Sequence, residues 1–170
     1  MCIRDRGVEY LIQRGHHRIA MLSSTAARAG TRRSEGYRHT LAKHGLPSNE
    51  ELLVWCDDFT VEAGCAGMQR IAQLHPLPTA VFAASDQLAL GALLAARELG
   101  IGVPSNLAVM GIDDIALARL VSPALTTIAQ KQELQGRQAA QLLFDRLNQS
   151  YLGPPRHIDM PYALIVRESA

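Results

Sequence analysis

The sequence predicts an α/β fold with a doubly wound parallel sheet, and three observations carry that prediction. Short apolar runs of strand length recur along the chain, a segment with helical spacing follows each of them, and glycine or proline stands at most junctions. Strands that are apolar throughout belong to sheets covered on both faces, and alternation with helices makes such sheets parallel. The handedness of strand crossovers then favours double winding.

Val8, Leu11 and Ile12 stand at helical spacing ahead of Gly15, a natural helix stop. Ile19-Ala20-Met21-Leu22 reads as a buried strand, Ser23–Thr31 as a loop, and Ser34–His44 as a helix stopped by Gly45-Leu46-Pro47. Leu52-Leu53-Val54-Trp55 is the next strand. Thr60 suits the cap of a helix whose Cys65, Met68, Ile71 and Ala72 share a face, and Pro76 and Pro78 end it. Ala80–Ala83 is a third strand, followed by a helix from Asp86 to Leu99 and a fourth strand, Leu107–Met110. Beyond Asp114 the alternation stops. Ile115–Pro123 reads as irregular or briefly helical, and Leu125–Ile128 as extended. Gln132–Gln149 reads as a long amphipathic helix with Ala140, Leu143, Phe144 and Leu147 as its stripe; Ile158–Met160 and Leu164–Arg167 are two further extended pieces.

Composition narrows the function. The chain has 170 residues, 48% hydrophobic and 19% charged, which suits one globular domain with a real core. Its net charge of +1 leaves no basic footprint for nucleic acid. No apolar run reaches bilayer length, and Cys2, Cys56 and Cys65 lack the pattern of a disulfide framework or a metal site, so a reduced, cytoplasmic setting is expected. No P-loop, GxSxG or HExxH occurs, and Gly100-Ile101-Gly102 lacks the third glycine of a dinucleotide loop. No cofactor, no metal and no enzymatic role are expected, and His16-His17 reads as a helix-to-strand turn. Met1–Arg6 can be back-translated as ATG-TGT-ATA-AGA-GAC-AGR, which resembles the end sequence of transposase-based sequencing libraries. Residues 1–6 are accordingly expected to be a scar.

Ligands of open α/β sheets bind beyond the carboxyl ends of the strands, and several polar or aromatic residues fall there. Arg33 offers a planar fork for two oxygens, with Arg28 and Arg32 as competitors. Phe59, one of eight aromatic residues, follows two aspartates in a loop and suits stacking against a sugar ring or a purine. Ser85 or Asp86 caps the helix that follows the third strand, a role that accounts for Asp86 in full. Asp113 offers a carboxylate to vicinal hydroxyls or to a base N–H. In the helix "DQLALGALLAAREL", Leu88, Leu90, Leu93, Leu94 and Leu99 populate more than one face, which calls for a second buried surface or for deep burial within the monomer.

The ordered set "RGHHRIAML", "RRSEGYRHTL", "DDFT", "TAVFAASDQLALGAL", "VPSNLAVMGIDD", "SPALTTIAQ" and "ALIVRES" resembles the effector-binding region of LacI/GalR transcriptional regulators from about residue 7 to the end. The resemblance implies a periplasmic-binding-protein-like type I fold of two subdomains around a cleft. Residues 7–128 would form most of the C-terminal subdomain, and 129–160 a helix and strand of the N-terminal one. Residues 161–170 would return to the C-terminal subdomain, and the helix-turn-helix DNA-binding domain would lie outside the chain. It further implies effector contacts at Arg33, Phe59, Ser85, Asp113 and Gln130, and a homodimer interface at Leu90, Leu94 and Val121. Many family members have Asn where Ser85 stands; serine keeps a hydrogen-bonding group with a shorter reach. With 129–160 assigned to the N-terminal subdomain, the stripe of the long helix expects a sheet that the sequence does not contain. That helix is therefore expected to lie exposed, or to dock elsewhere, and to lower solubility. The partners implied are a sugar or purine-like effector, a second copy of the chain, and operator DNA through the missing domain, without a membrane. A periplasmic sugar receptor of a transporter is the alternative on the same fold, and an enzyme is a third class.

Overall fold

The computed structural model describes residues 3–170. Helix α1 (Ile3–Gln13) leads into β1 (Ile19–Ser24), α2 (Arg28–Lys43) and β2 (Leu53–Cys56). Helix α3 (Val61–Ile71), β3 (Ala80–Ala83), α4 (Asp86–Glu98) and β4 (Ala108–Asp113) follow. The chain closes with β5 (Thr126–Gln130), α5 (Gln132–Leu147) and β6 (Tyr162–Ile165). Of the six N-terminal residues that the codon reading sets apart, Ile3–Arg6 begin α1; Met1 and Cys2 lie outside the described residues.

The six strands form one sheet in the order β2-β1-β3-β4-β5-β6, parallel except for the edge strand β6, which runs antiparallel to β5. Strand order reverses between β1 and β3, the topological switch point at which such sheets open a crevice. Side-chain alternation divides the core. Phe82 of β3 and Ile128 of β5 face α1, where Gly7 lets the helix come close. Leu22 of β1 and Val54 and Cys56 of β2 face α3 across Gly67 on the other side. Helices α1 and α2 therefore cover one face, and α3 and α4 the other.

The tightest helix contact is that between α3 and α4. A Cβ on Gly91 would lie 2.1 Å from the carbonyl oxygen of Val61 and 2.6 Å from the amide nitrogen of Cys65, so only hydrogen fits there. The Cys65 thiol donates to the Gly91 carbonyl at 3.2 Å in the same contact. This second packing partner explains why leucines populate more than one face of α4: Leu88, Leu90 and Leu93 are buried within the chain itself, whereas Leu94 and Leu99 are each 48% exposed. Thr60 caps α3 as expected, accepting from the Ala63 amide at 3.1 Å.

Several expectations need correction. The loop after β1 is shorter than Ser23–Thr31: Ser23 and Ser24 extend the strand, and α2 begins at Arg28. Its low-propensity start is carried by tertiary contact, with the Ser23 hydroxyl donating to the Gly30 carbonyl at 3.1 Å. Strand β4 runs on through Gly111 and Ile112 to Asp113, because β5 pairs with it as far as Asp113 opposite Ala129. Residues 158–160, expected as a strand, form none; the sheet's β5 edge is taken by β6 instead. Helix α5 forms as expected but buries none of its residues, and Leu143, Phe144 and Leu147 stand more than half exposed.

Candidate functional site

The carboxyl ends of β1, β3 and β4 converge on a cavity of about 330 Å³, within the size range of small-molecule sites. Arg33, Phe59, Ser85 and Asp113 all line it, together with Gln87, Ile115 and Gln132. Residues separated by 80 positions meet here only because the parallel sheet brings every β-to-α junction to one edge.

Each side chain is held by a distinct device. Arg33 lies in the second turn of α2; its Nη1 donates to the Ala84 carbonyl and its Nη2 stands 3.5 Å from Asp113 Oδ1. Phe59, between β2 and α3, is partly buried against the core. Ser85 is the N-cap of α4: its hydroxyl oxygen accepts from the Leu88 amide at 3.3 Å, and its own hydrogen remains available. Asp113 ends β4 with φ of 123° and Asp114 follows with φ of 55°, so two successive aspartates take left-handed backbone.

Gln130 does not line this cavity. Its Nε2 donates to Asp113 Oδ1 at 2.7 Å, and its side chain borders a wider cavity of about 810 Å³ between the start of α2 and residues 157–162. Arg28 and Arg32 border that wider space too, and of the three neighbouring arginines only Arg33 reaches both. Burial pushes the Asp113 carboxyl up from its ordinary range, while the Arg33 charge and the Gln130 hydrogen bond pull it down. The bonds from Arg33 and Gln130 both go to Oδ1, and Oδ2 accepts none among the described residues.

Asp86 requires a different account from a helix cap. Ser85 fills that role, and the Asp86 carboxylate is completely buried, accepting from the Ile115 amide at 2.9 Å and the Thr127 hydroxyl at 2.5 Å. Burial pushes its carboxyl up, the hydrogen bonds from Thr127 and Ile115 oppose this, and the charges of Asp113 and Asp114 add to it. Sequence reasoning missed Gln87, whose only signal is its place in the first turn of a helix that follows a strand end; Ile115 carries no local signal and reaches the cavity through the turn after β4.

The arrangement offers one cation, one carboxylate, one aromatic face and a hydroxyl donor. No His, Cys or Lys lines the smaller cavity, and no group of three or more His, Cys, Asp or Glu among the described residues is placed to hold a metal. His16 accepts from or donates to the Thr79 hydroxyl at 3.0 Å, at the turn into β1. No helix of the described residues is long and apolar enough to cross a membrane.

A doubly wound sheet with a largely apolar cavity carrying a few polar groups at its switch point is the architecture of a small-molecule-binding domain, and the chain belongs to the family of periplasmic binding protein-like domains, which matches residues 8–170. Within that family its likeness is to LacI/GalR regulators. The HTH-type transcriptional repressor PurR of Yersinia pestis is 40% identical over 161 residues, 94% of this chain and 47% of the relative. The PurR repressor of Photorhabdus laumondii is 42% identical over 139 residues, 81% of this chain and 40% of the relative. The solved complex of the transcriptional regulator CelR with cellobiose superposes with a TM-score of 0.92 at 38% identity, covering 99% of this chain and 51% of that one. A LacI-family regulator from Mycobacterium smegmatis superposes with a TM-score of 0.89 at 35% identity, over 98% and 62% of the two chains. The chain thus spans about half the length of the curated relatives it matches.

Proposed function

We propose that this chain is the effector-sensing part of a LacI/GalR-type transcriptional repressor, responding to a small sugar or a related metabolite. The observation that carries the proposal is the meeting of Arg33, Phe59, Ser85 and Asp113 on one cavity at the switch point. Asp113 Oδ2 accepts from ligand hydroxyls, Arg33 donates to a ligand oxygen, Phe59 packs against a ring face, and Ser85 donates a single hydrogen bond. Gln130 acts from behind by holding Asp113 Oδ1. Hydroxyl-rich rings match this mixture of an apolar wall and a few oriented polar groups. The cellobiose of the CelR complex is therefore the first probe to test.

In the full repressor, ligand binding would favour one closure state of the domain, and DNA affinity would shift by the difference in ligand affinity between the states. Operator contact would come from a helix-turn-helix outside this chain, in the cytoplasm. Residues 7–128 and 161–170 act as one subdomain and 129–160 as a segment of the other. Two copies would meet along α4 and the segment between β4 and β5, where Leu94 is exposed and Val121 is half-buried; Leu90 supports that surface from within the chain. Repressor function, rather than solute delivery to a transporter or catalysis, is supported by the relatives, which are transcriptional regulators.

Titration calorimetry with cellobiose, pentoses, hexoses and purines tests this reading. One class is expected to bind, weakly because the chain carries only part of the two-subdomain cleft, and to saturate at high ligand concentration. Asp113→Asn is expected to weaken it about tenfold further, the effect of a lost hydrogen bond to a charged group. Saturation by none of these, or unchanged affinity in Asp113→Asn, would overturn the assignment.

A further inference from the structure

The Asp113–Asp114 pair holds left-handed backbone at two consecutive non-glycine residues, a conformation that persists only where its surroundings over-determine it. Two devices hold the turn, one buried and one half-buried. Asp86 Oδ2 accepts from the Ile115 amide and Oδ1 accepts from Thr127 Oγ1, tying the turn to α4 and β5. Separately, Arg167 donates from Nη2 to Asp114 Oδ1 at 2.6 Å and from Nη1 to the Leu125 carbonyl at 2.7 Å. Gly111 belongs to the same construction, since a Cβ there would lie 2.3 Å from Asp86 Oδ1.

Helix α4 does not use the Asp86 side chain as its N-cap, because Ser85 accepts the capping hydrogen bond from the Leu88 amide. Burying a carboxylate is costly, so its retention at zero exposure is accounted for by what it holds rather than by capping. Asp86 lines neither cavity, while its immediate neighbours Ser85 and Gln87 line the smaller one. We propose that Asp86 is a positioning residue which, together with Arg167, braces the Asp113–Asp114 turn and so fixes where the Asp113 carboxylate meets the effector. The brace stands on the geometry alone; its consequence for binding rests on the reading of Asp113 as an effector contact.

The test is amide hydrogen exchange at Ile115, followed by NMR in the ligand-free 170-residue chain. Asp86→Ala removes both acceptors, and Ile115 is expected to exchange about tenfold faster or more. Asp86→Asn is expected to restore protection, its amide oxygen accepting from Ile115 while its amide nitrogen donates to the Thr127 hydroxyl. Tyr37→Phe, which deletes a buried hydrogen bond to the Ile19 carbonyl, controls for general loss of stability. Equal acceleration of Ile115 in Asp86→Ala and Tyr37→Phe would overturn the brace, as would failure of Asp86→Asn to rescue. If Asp86→Ala does not fold, Thr127→Val removes the donor to Oδ1 and is expected to speed Ile115 about threefold, on the scale of a weak hydrogen bond; no change would overturn the proposal. Cellobiose titration then reads the consequence: Asp86→Ala weakens binding as Asp113→Asn does, and Asp86→Asn does not. If no tested ligand binds the wild-type chain, the effector reading fails while the exchange rates still decide the brace.

Discussion

Gly91→Ala is expected to destabilise the chain even though alanine is the better helix former. The substitution gains about 1 kcal/mol of helix propensity. Against this, the new Cβ would lie 2.1 Å from the Val61 carbonyl oxygen, about 1.3 Å short of ordinary contact, and 2.8 Å from the carbonyl carbon of Gly64. These are backbone atoms of α3, so no rotamer change relieves the clash and the two helices must separate. Overpacking of this kind costs about 1–3 kcal/mol, and backbone obstruction puts this site at the upper end. The net loss is about 1–2 kcal/mol, which lowers Tm by about 2–8 °C for a domain of this size. Urea and thermal unfolding followed by circular dichroism measure it. Gly136→Ala in α5 is the matched control, because nothing lies within 4 Å of its Cβ position and α5 buries no residue. There the same chemical change is expected to leave the main transition in place. A Gly91→Ala chain as stable as wild type, or more so, would refute the close backbone contact between α3 and α4.

Two further outcomes follow from burial. The Asp86 carboxyl is pushed up chiefly by burial, so the folded chain binds that proton more tightly than the unfolded chain. Its contribution to stability therefore improves as pH falls through the raised value and is absent at neutral pH. Asp86→Asn has no such proton to bind, so its urea midpoint relative to wild type is expected to decline from pH 7 toward the ordinary aspartate range; a constant difference would contradict the assignment. On α5, Leu143→Glu with Phe144→Glu is expected to change the unfolding midpoint by less than about 0.5 kcal/mol while reducing light scattering at high concentration, since both side chains are more than half exposed. A large loss of stability would show that this face is covered in the chain as it stands.

The fold was largely legible because its strands are short apolar runs whose spacing from the helices is local information. Ala80–Ala83 matches its expected bounds, and the helix from Asp86 differs only at its last residue. Errors fall where pairing or packing overrides local preference. Strand β4 outruns its apolar run because β5 supplies ladder partners, and α2 starts within residues that read as loop because β1 anchors it. Residues 158–160 look extended but find no strand partner among the described residues.

The candidate site divides along the same line. Strand-end position makes an arginine, an aromatic, a serine and an aspartate candidates, because parallel sheets collect those positions at one edge, and the family resemblance gives Arg33, Phe59, Ser85 and Asp113 their implied roles as effector contacts. The resemblance points to Arg33 over Arg28 and Arg32, and the packed position of α2 supplies the physical reason: helix phase brings Arg33 to within 3.5 Å of Asp113. The displacement of Gln130 behind Asp113 depends on the register of β4 with β5, which no local pattern encodes. Asp86 shows the limit most clearly. In sequence it is one of two candidate caps; only the approach of Thr127, 41 residues away, and of the turn at Ile115 makes its carboxylate a buried brace. Periodicity fixes what is local, and the partners of a buried polar group are fixed by contacts between segments far apart in the chain.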